Sequence, residues 1–175
     1  MIKTIVVPVD GSEHARKAAI LAGDIGEKYG AEIVLVTVAL RPGHIPPALR
    51  KMAEVEHLID PERGAAPQRH GLPGDTAAAV GDAREVDLDE AAATRIAEWV
   101  LEETAQAVKD QGIDAVRKRL EFGEPVETIL AVAREEKANL LVMGSRGLSA
   151  LGGLLMGSVS HKLCQLADCS CITVK

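Results

Sequence analysis

Residues 139–160 read NLLVMGSRGLSALGGLLMGSVS. Leu140 to Met143 is apolar at every position, the pattern of a strand covered on both faces. It gives way to the spacing Gly144-x-x-Gly147, nine residues, Gly157-Ser158, and then to a helical stretch, SVSHKLCQLAD. Glycine brings no side chain to a core and weakens helix and strand interiors. A buried strand leading through such a loop into a helix is half of a parallel βαβ unit, with a connection suited to close approach.

The same alternation extends outward. TIVVPVD predicts a buried strand at residues 4–9. Ser12 is the expected N-cap of a helix that carries Ala15, Ala18, Ala19, Ala22, Ile25 and Tyr29 on one face and stops at Gly30. EIVLVTVA is a second strand at 32–39. Strand, helix, strand with a long crossover means parallel pairing. A long helix is expected at about 88–110, with Asp87 as N-cap and Glu90 three residues on. AVRKRLE, 115–121, is a third strand. Its alternation of Val116, Lys118 and Leu120 with Arg117 and Arg119 suits a sheet edge. EPVETILAVAREEK follows as a helix with Pro125 in its first turn. CITVK is a short last strand.

This order predicts one α/β domain over residues 1–175: a doubly wound, Rossmann-like sheet of five parallel strands, order 3-2-1-4-5, with helices on both faces. A long insert at about 41–86 follows strand 2. Ligands of such sheets bind at the carboxyl ends of the strands, where the winding reverses. With strands 1 and 4 as central neighbours, that point lies between Asp10 and Gly144.

The loop's chemistry suits an anion. A helix N-terminus offers unpaired N–H groups and a partial positive charge. Gly144, Gly147 and Gly157 would let backbone approach phosphate, Ser158 would cap the helix, Ser158 and Ser160 would add hydroxyl donors, and Arg146 would add charge. The spacing is not G-x-x-x-x-G-K-[ST], nor G-x-G-x-x-G, and no G-x-S-x-G elbow is present.

Composition narrows the function classes. Of the 175 residues, 47% are hydrophobic and only 2% aromatic, so the core is built from aliphatic side chains and base-stacking platforms are lacking. The formal net charge of −6 argues against a phosphate-backbone binder, so no nucleic-acid partner is expected. No run approaches a membrane span, and TIVVPV meets Asp10 too soon for a signal-peptide core. Cys164, Cys169 and Cys171 are odd in number and clustered, unlike a secreted disulfide framework. The expectation is a cytoplasmic protein without membrane insertion. The cysteines lack C-x2-C spacing and read as small half-buried thiols.

The chain closely resembles the universal stress protein family. The carrying residues are VVPVDGS, LVTV and LLVMGSRGLSALGGLLMGSVS, and the resemblance covers residues 2–40 and about 88–175. The family's ATP-binding subgroup is marked by G-2x-G-9x-G-[S/T], matched by Gly144, Gly147, Gly157 and Ser158. The resemblance implies ATP (or ADP or AMP), with Mg²⁺ accompanying the nucleotide. Pro8 and Val38 would border the adenine. Asp10 would face the ribose or a phosphate-bound Mg²⁺. Met143, Gly144, Ser145, Arg146, Gly147, Leu148, Ser149 and Ala150 would wrap ribose and phosphates, and Ser158, Val159 and Ser160 would donate to the phosphates. It also implies a homodimer paired through the last strands. Ser170 stands before Cys171 where the family often has Pro.

The longer connection, Arg41 to Val86, is a second departure. Leu49, Met52, Val55 and Ile59 recur near helical spacing and predict a short amphipathic helix, after which Gly, Pro, Ala and charge mix without period. His44, His57 and His70 have no ligand spacing and read as solvated. The segment leaves the sheet at the ligand edge, so it is expected to act at the site or carry a partner surface.

The leading function is a regulatory or signalling ATP-binding protein of the stress response, with an unidentified regulatory protein as a possible partner and little turnover. Arg146 and Lys162 are the only cations expected in reach, whereas fast phosphoryl transfer relies on dense positive charge and placed metal. The alternatives are a slow ATPase or a nucleotidyl- or phosphoryl-transfer enzyme on the same fold, and an interaction module without ligand. PVDGSEHA in the first loop lacks the HIGH-like and SGGxDS-like signatures of adenylating enzymes. The intact glycine spacing argues against loss of the ligand.

Overall fold

The computed structural model describes residues 1–39, 46–59, 90–113, 116–148 and 156–175, and for Pro47 the backbone alone. Five strands, β1 (Thr4–Pro8), β2 (Glu32–Ala39), β3 (Val116–Phe122), β4 (Leu140–Gly144) and β5 (Ser170–Val174), form one parallel sheet in the order β3-β2-β1-β4-β5. The helices are α1 (Glu13–Tyr29), α2 (Pro47–Val55), α3 (Glu90–Lys109), α4 (Pro125–Glu135) and α5 (Ser158–Leu166). The expected sheet and its order are therefore present.

Strand alternation divides the core in two. Ile5, Val7, Ile33, Leu35, Leu140 and Val142 face α1 and α3. Val6, Val34, Val36, Leu141 and Met143 face α4 and α5. Side chains alternate along a strand, so a central strand between two helix layers must be apolar throughout. β4 is buried at all five positions for that reason.

Helix ends follow local chemistry. Ser12 caps α1 by accepting the Ala15 N–H at 3.2 Å, and Gly30 ends it at φ 64°, a left-handed conformation that glycine adopts without strain. The expected Asp87 cap, strand residue 115 and His44 and His70 lie outside the described residues.

β3 is an edge strand, as its alternating charges predicted. Arg117 reaches Glu32 and Glu136, and Arg119 reaches Glu121, Glu135 and Glu136. On the opposite face Lys118 pairs with Glu102 of α3. Charges along an edge discourage pairing with another chain.

The expected amphipathic helix exists as α2, with one correction. Leu49, Ala53 and the following Ile59 are buried, but Val55 is 67% exposed. α2 ends at Val55, and His57 turns the chain at φ 56° before Ile59 returns to the core, so the helical spacing does not carry through. No described helix is long and apolar enough to cross a membrane.

Candidate functional site

At the carboxyl ends of β1 and β4 the chain builds a seam between two loops. Asp10, just beyond β1, accepts the Ser12 N–H with Oδ1 at 3.0 Å and the Leu148 N–H with Oδ2 at 3.1 Å. The Ser12 hydroxyl donates to Arg146 O at 3.4 Å. One carboxylate thus shapes the β1–α1 turn and holds the β4 loop against it.

The glycines answer to this seam. A Cβ on Gly144 would lie 2.9 Å from Ala15 N and from His14 C, both backbone atoms of α1. A Cβ on Gly147 would lie 2.4 Å from Asp10 Oδ2. Real Cβ contacts are not that short, so Gly144 is closed to a side chain by fixed α1 backbone, and at Gly147 the Asp10 carboxylate would have to shift. Gly157 differs: its Cβ would meet Arg146 Cα and Ser145 O at 3.6 Å, ordinary contact. At Gly144 and Gly147 the atoms nearest to an added side chain are those of α1 and of Asp10.

The start of α5 closes the seam. Gly157 donates to Ser145 O at 2.7 Å, and Ser145 donates to Val174 O at 2.6 Å. Ser158 was expected as the cap. It is the first helical residue, and Gly157 is the N-cap, extended at φ −72° and ψ 156°. The hydrogen bond to Ser145 fixes the chain's entry at Gly157, one residue earlier than the side-chain chemistry suggested. Ser160 turns its hydroxyl inward and donates to Gly144 O at 2.7 Å, tying the first turn of α5 to the strand end. The N–H groups of Ser158, Val159 and Ser160 are in the first turn, where no intrahelical acceptor exists.

Beside the seam is a cavity of about 400 Å³, within the roughly 300–1,000 Å³ of small-molecule sites. Pro8, Asp10 and Val38 line it from the ends of β1 and β2. Met143, Gly144, Arg146, Gly147 and Leu148 line it from β4 and its loop, and Gly157, Ser158, Val159 and Ser160 from α5. Ser145 is not among the lining residues. It is 3% exposed, and its hydroxyl has no partner among the described residues. Ser149 and Ala150 lie outside the described residues. Lys162, expected in reach, is exposed on α5 and away from the cavity wall.

Among the described residues, Asp10 and Arg146 are the charged groups on the wall. Nowhere among those residues do three His, Cys, Asp or Glu side chains converge as a metal site. The wall also contains groups that the sequence reading missed. Ala93, Ile96, Ala97 and Val100 form a stripe of α3, Pro125 and Ile129 come from α4, and Pro46 and Leu49 come from the segment after β2. Their spacing announces a buried face, but a buried face looks the same whether it meets a core or a cavity. Thr37 belongs here too. Its hydroxyl donates to Val9 O at 2.9 Å, a buried polar residue whose signal was a lone Thr in an otherwise aliphatic strand.

The whole chain, residues 1–175, matches the model of the universal stress protein family. A Thermus aquaticus protein, "Universal stress protein in QAH/OAS sulfhydrylase 3'region", is 31% identical over 175 residues, covering 100% of both chains. A universal stress protein solved in complex with cAMP superimposes with a TM-score of 0.58 at 22% identity, covering 99% of this chain and 96% of that one. An Archaeoglobus fulgidus universal stress protein in complex with dAMP gives 0.58 at 17% identity, covering 100% and 98%. These two solved structures share the fold.

Proposed function

Since the chain belongs to the universal stress protein family, we propose that its cavity binds an adenine nucleotide, ATP foremost, and that the protein regulates or signals through the bound state. The observation that carries this reading is the meeting, on one cavity wall, of the α5 N-terminus with the glycine-bared end of β4. A helix N-terminus stabilises phosphate through free N–H groups and its dipole. That two relatives of this fold were solved with cAMP and with dAMP supports adenine as the base.

In this reading Pro8 and Val38 border the base. The loop from Met143, including Ser149 and Ala150, wraps ribose and phosphates. The N–H groups of Ser158, Val159 and Ser160 receive the phosphate charge with Arg146 beside them. Ser145 acts through its backbone, which joins Gly157 to Val174. Mg²⁺ would travel with the nucleotide, since it commonly takes one or two carboxylates plus phosphate oxygens. Asp10 fits that role: each of its oxygens accepts one backbone N–H and retains a lone pair. Bound Mg²⁺ would offset phosphate charge. Among the described residues the wall offers one acid and one cation for catalysis, which supports slow or absent hydrolysis.

The protein works in the cytoplasm as a homodimer joined through β5, which pairs with β4 alone among the described strands and leaves its other edge open. A regulatory protein partner would read the nucleotide state. To test the ligand, the purified protein is denatured and the supernatant analysed by chromatography and mass spectrometry. An adenine nucleotide in near-equal amount to protein is expected from gently purified material. A different molecule at that stoichiometry would overturn the assignment.

A further inference from the structure

The nucleotide reading uses one side of the cavity, and the other side differs in chemistry. Among the described residues the charged groups of the wall are Asp10 and Arg146, and both belong to the seam between the β1 and β4 loops. The far side is built from α3 and the segment after β2. Ala93, Ile96, Ala97 and Val100 stand at i, i+3, i+4 and i+7, one face of a helix. Each is no more than 4% exposed. Pro46 and Leu49 join them.

Sheet order keeps the two sides apart. α3 packs over β2 and β3, and α5 over β5. These are opposite ends of the sheet, and the two helices cover opposite faces. The α3 side therefore lies across the sheet edge from the N–H groups that open α5.

Polar atoms near this side are already used. The Thr37 hydroxyl donates to Val9 O at 2.9 Å, and Val9 N–H donates to Val36 O at 2.9 Å. The side chains that α3 and α2 present are aliphatic. A polar ligand there would give up hydrogen bonds to water that this wall does not return, whereas an apolar one gives up none. The wall is also braced. Val100 Cγ2 and Leu49 Cδ1 converge over Gly11, where an added Cβ would lie 3.2 and 3.4 Å from them. Beyond α2, Arg95 Nε of α3 donates to Leu58 O at 3.3 Å, and Ile59 returns to the core. These contacts fasten the α2 segment to α3, so the apolar side is preformed.

We propose that the α3 side of the cavity is a second binding site, for a small uncharged aliphatic molecule. An apolar cavity of about 150 Å³ is enough to bind benzene. The whole cavity here is about 400 Å³, so a part of it suffices. A charged ligand is excluded from this side, because no group on it offsets the loss of hydration. With a nucleotide on the α5 side, one cavity holds two ligands of opposite character, and any coupling between them is reciprocal. The site stands on the α3 wall alone, whether or not the α5 side takes a nucleotide.

The test titrates the full, nucleotide-stripped chain, with labelled methyl groups, with straight-chain alkanols from butanol to octanol, below concentrations that unfold it. Saturable NMR shifts are expected at the methyl groups of Leu49, Ile96 and Val100, with Overhauser contacts from the alkanol's terminal methyl. Affinity should rise about fourfold per added methylene, the factor that burying one supplies, until the space is filled. Ala97→Phe puts a ring into that space and should abolish the shifts while the spectrum keeps its dispersion. If that variant does not fold, Ile96→Ala is read instead, and its best-bound alkanol should be longer than the parent's. The proposal is overturned if the parent shows no saturable shifts, or if the contacts are confined to Ile129 and Leu163 on the α4 and α5 side. It is equally overturned if Ala97→Phe folds and binds alkanols as the parent does, or if Ile96→Ala leaves the chain-length dependence unchanged. The nucleotide reading is judged apart, by titrating the same stripped sample with ATP: either ligand can fail while the other binds.

Discussion

Gly144 and Gly157 belong to one motif but meet different surroundings. At Gly144 a methyl group would press on the α1 backbone at 2.9 Å, and backbone cannot swing aside. Gly144→Ala is expected to cost about 1–3 kcal/mol, the usual penalty of overpacking. Gly157 has an extended φ of −72° and contacts no closer than 3.6 Å, so Gly157→Ala should stay within about 0.5 kcal/mol of the parent. Urea unfolding of both variants checks the contrast, and equal losses would mean that the loop is seated differently. The sequence made these positions legible as places without side chains. It did not say what lay opposite Gly144, because Ala15 is more than a hundred residues away in the chain. Asp10 shows the same limit: its position at the switch point could be read from the strand pattern, but its hold on Leu148 N–H could not.

Among the elements, β3 was read most fully from its residues. Arg117, Lys118 and Arg119 in a strand cannot lie between two apolar layers, so an edge was the one place for it. The hydrogen bonds from Arg117, with a smaller contribution from Arg119, hold the Glu136 carboxyl below its ordinary range. A carboxylate held low in the folded state adds stability above its unfolded pKa of about 4.3, and that stability is lost as pH falls through the lower folded value. Arg117→Ala should therefore cost about 1 kcal/mol or less at pH 7, since solvent screens a half-exposed guanidinium. At pH values where Glu136 is protonated, the variant and the parent should converge. Urea unfolding at pH 7 and near pH 3 measures this, and a pH-independent difference would show that Arg117 acts by packing alone. α2 was legible less well. Leu49 and Ile59 announced an apolar face, but the turn at His57 breaks the period, and Val55 falls outside the buried set.

At the scale of the molecule, alternating strands and helices made the parallel sheet legible, and the switch point between Asp10 and Gly144 located the cavity mouth. The reach of the cavity across both helix layers, from Val100 of α3 to Ile129 of α4, was not legible. Each of those side chains sits in an ordinary amphipathic pattern, and only the assembled sheet brings them to one space. The open edge of β5 has its own consequence. Light scattering at tens of micromolar should give twice the chain mass, and a monomer at that concentration would remove the β5 interface from the account. The central claim is the nucleotide site, and titration calorimetry of the nucleotide-stripped protein with Mg²⁺ and ATP tests it most directly. Saturable binding of one ATP per chain is expected, with a dissociation constant of about 1 μM or tighter, worth about 8 kcal/mol. Absence of saturable heat up to about 1 mM ATP, where binding is worth only about 4 kcal/mol, would contradict it.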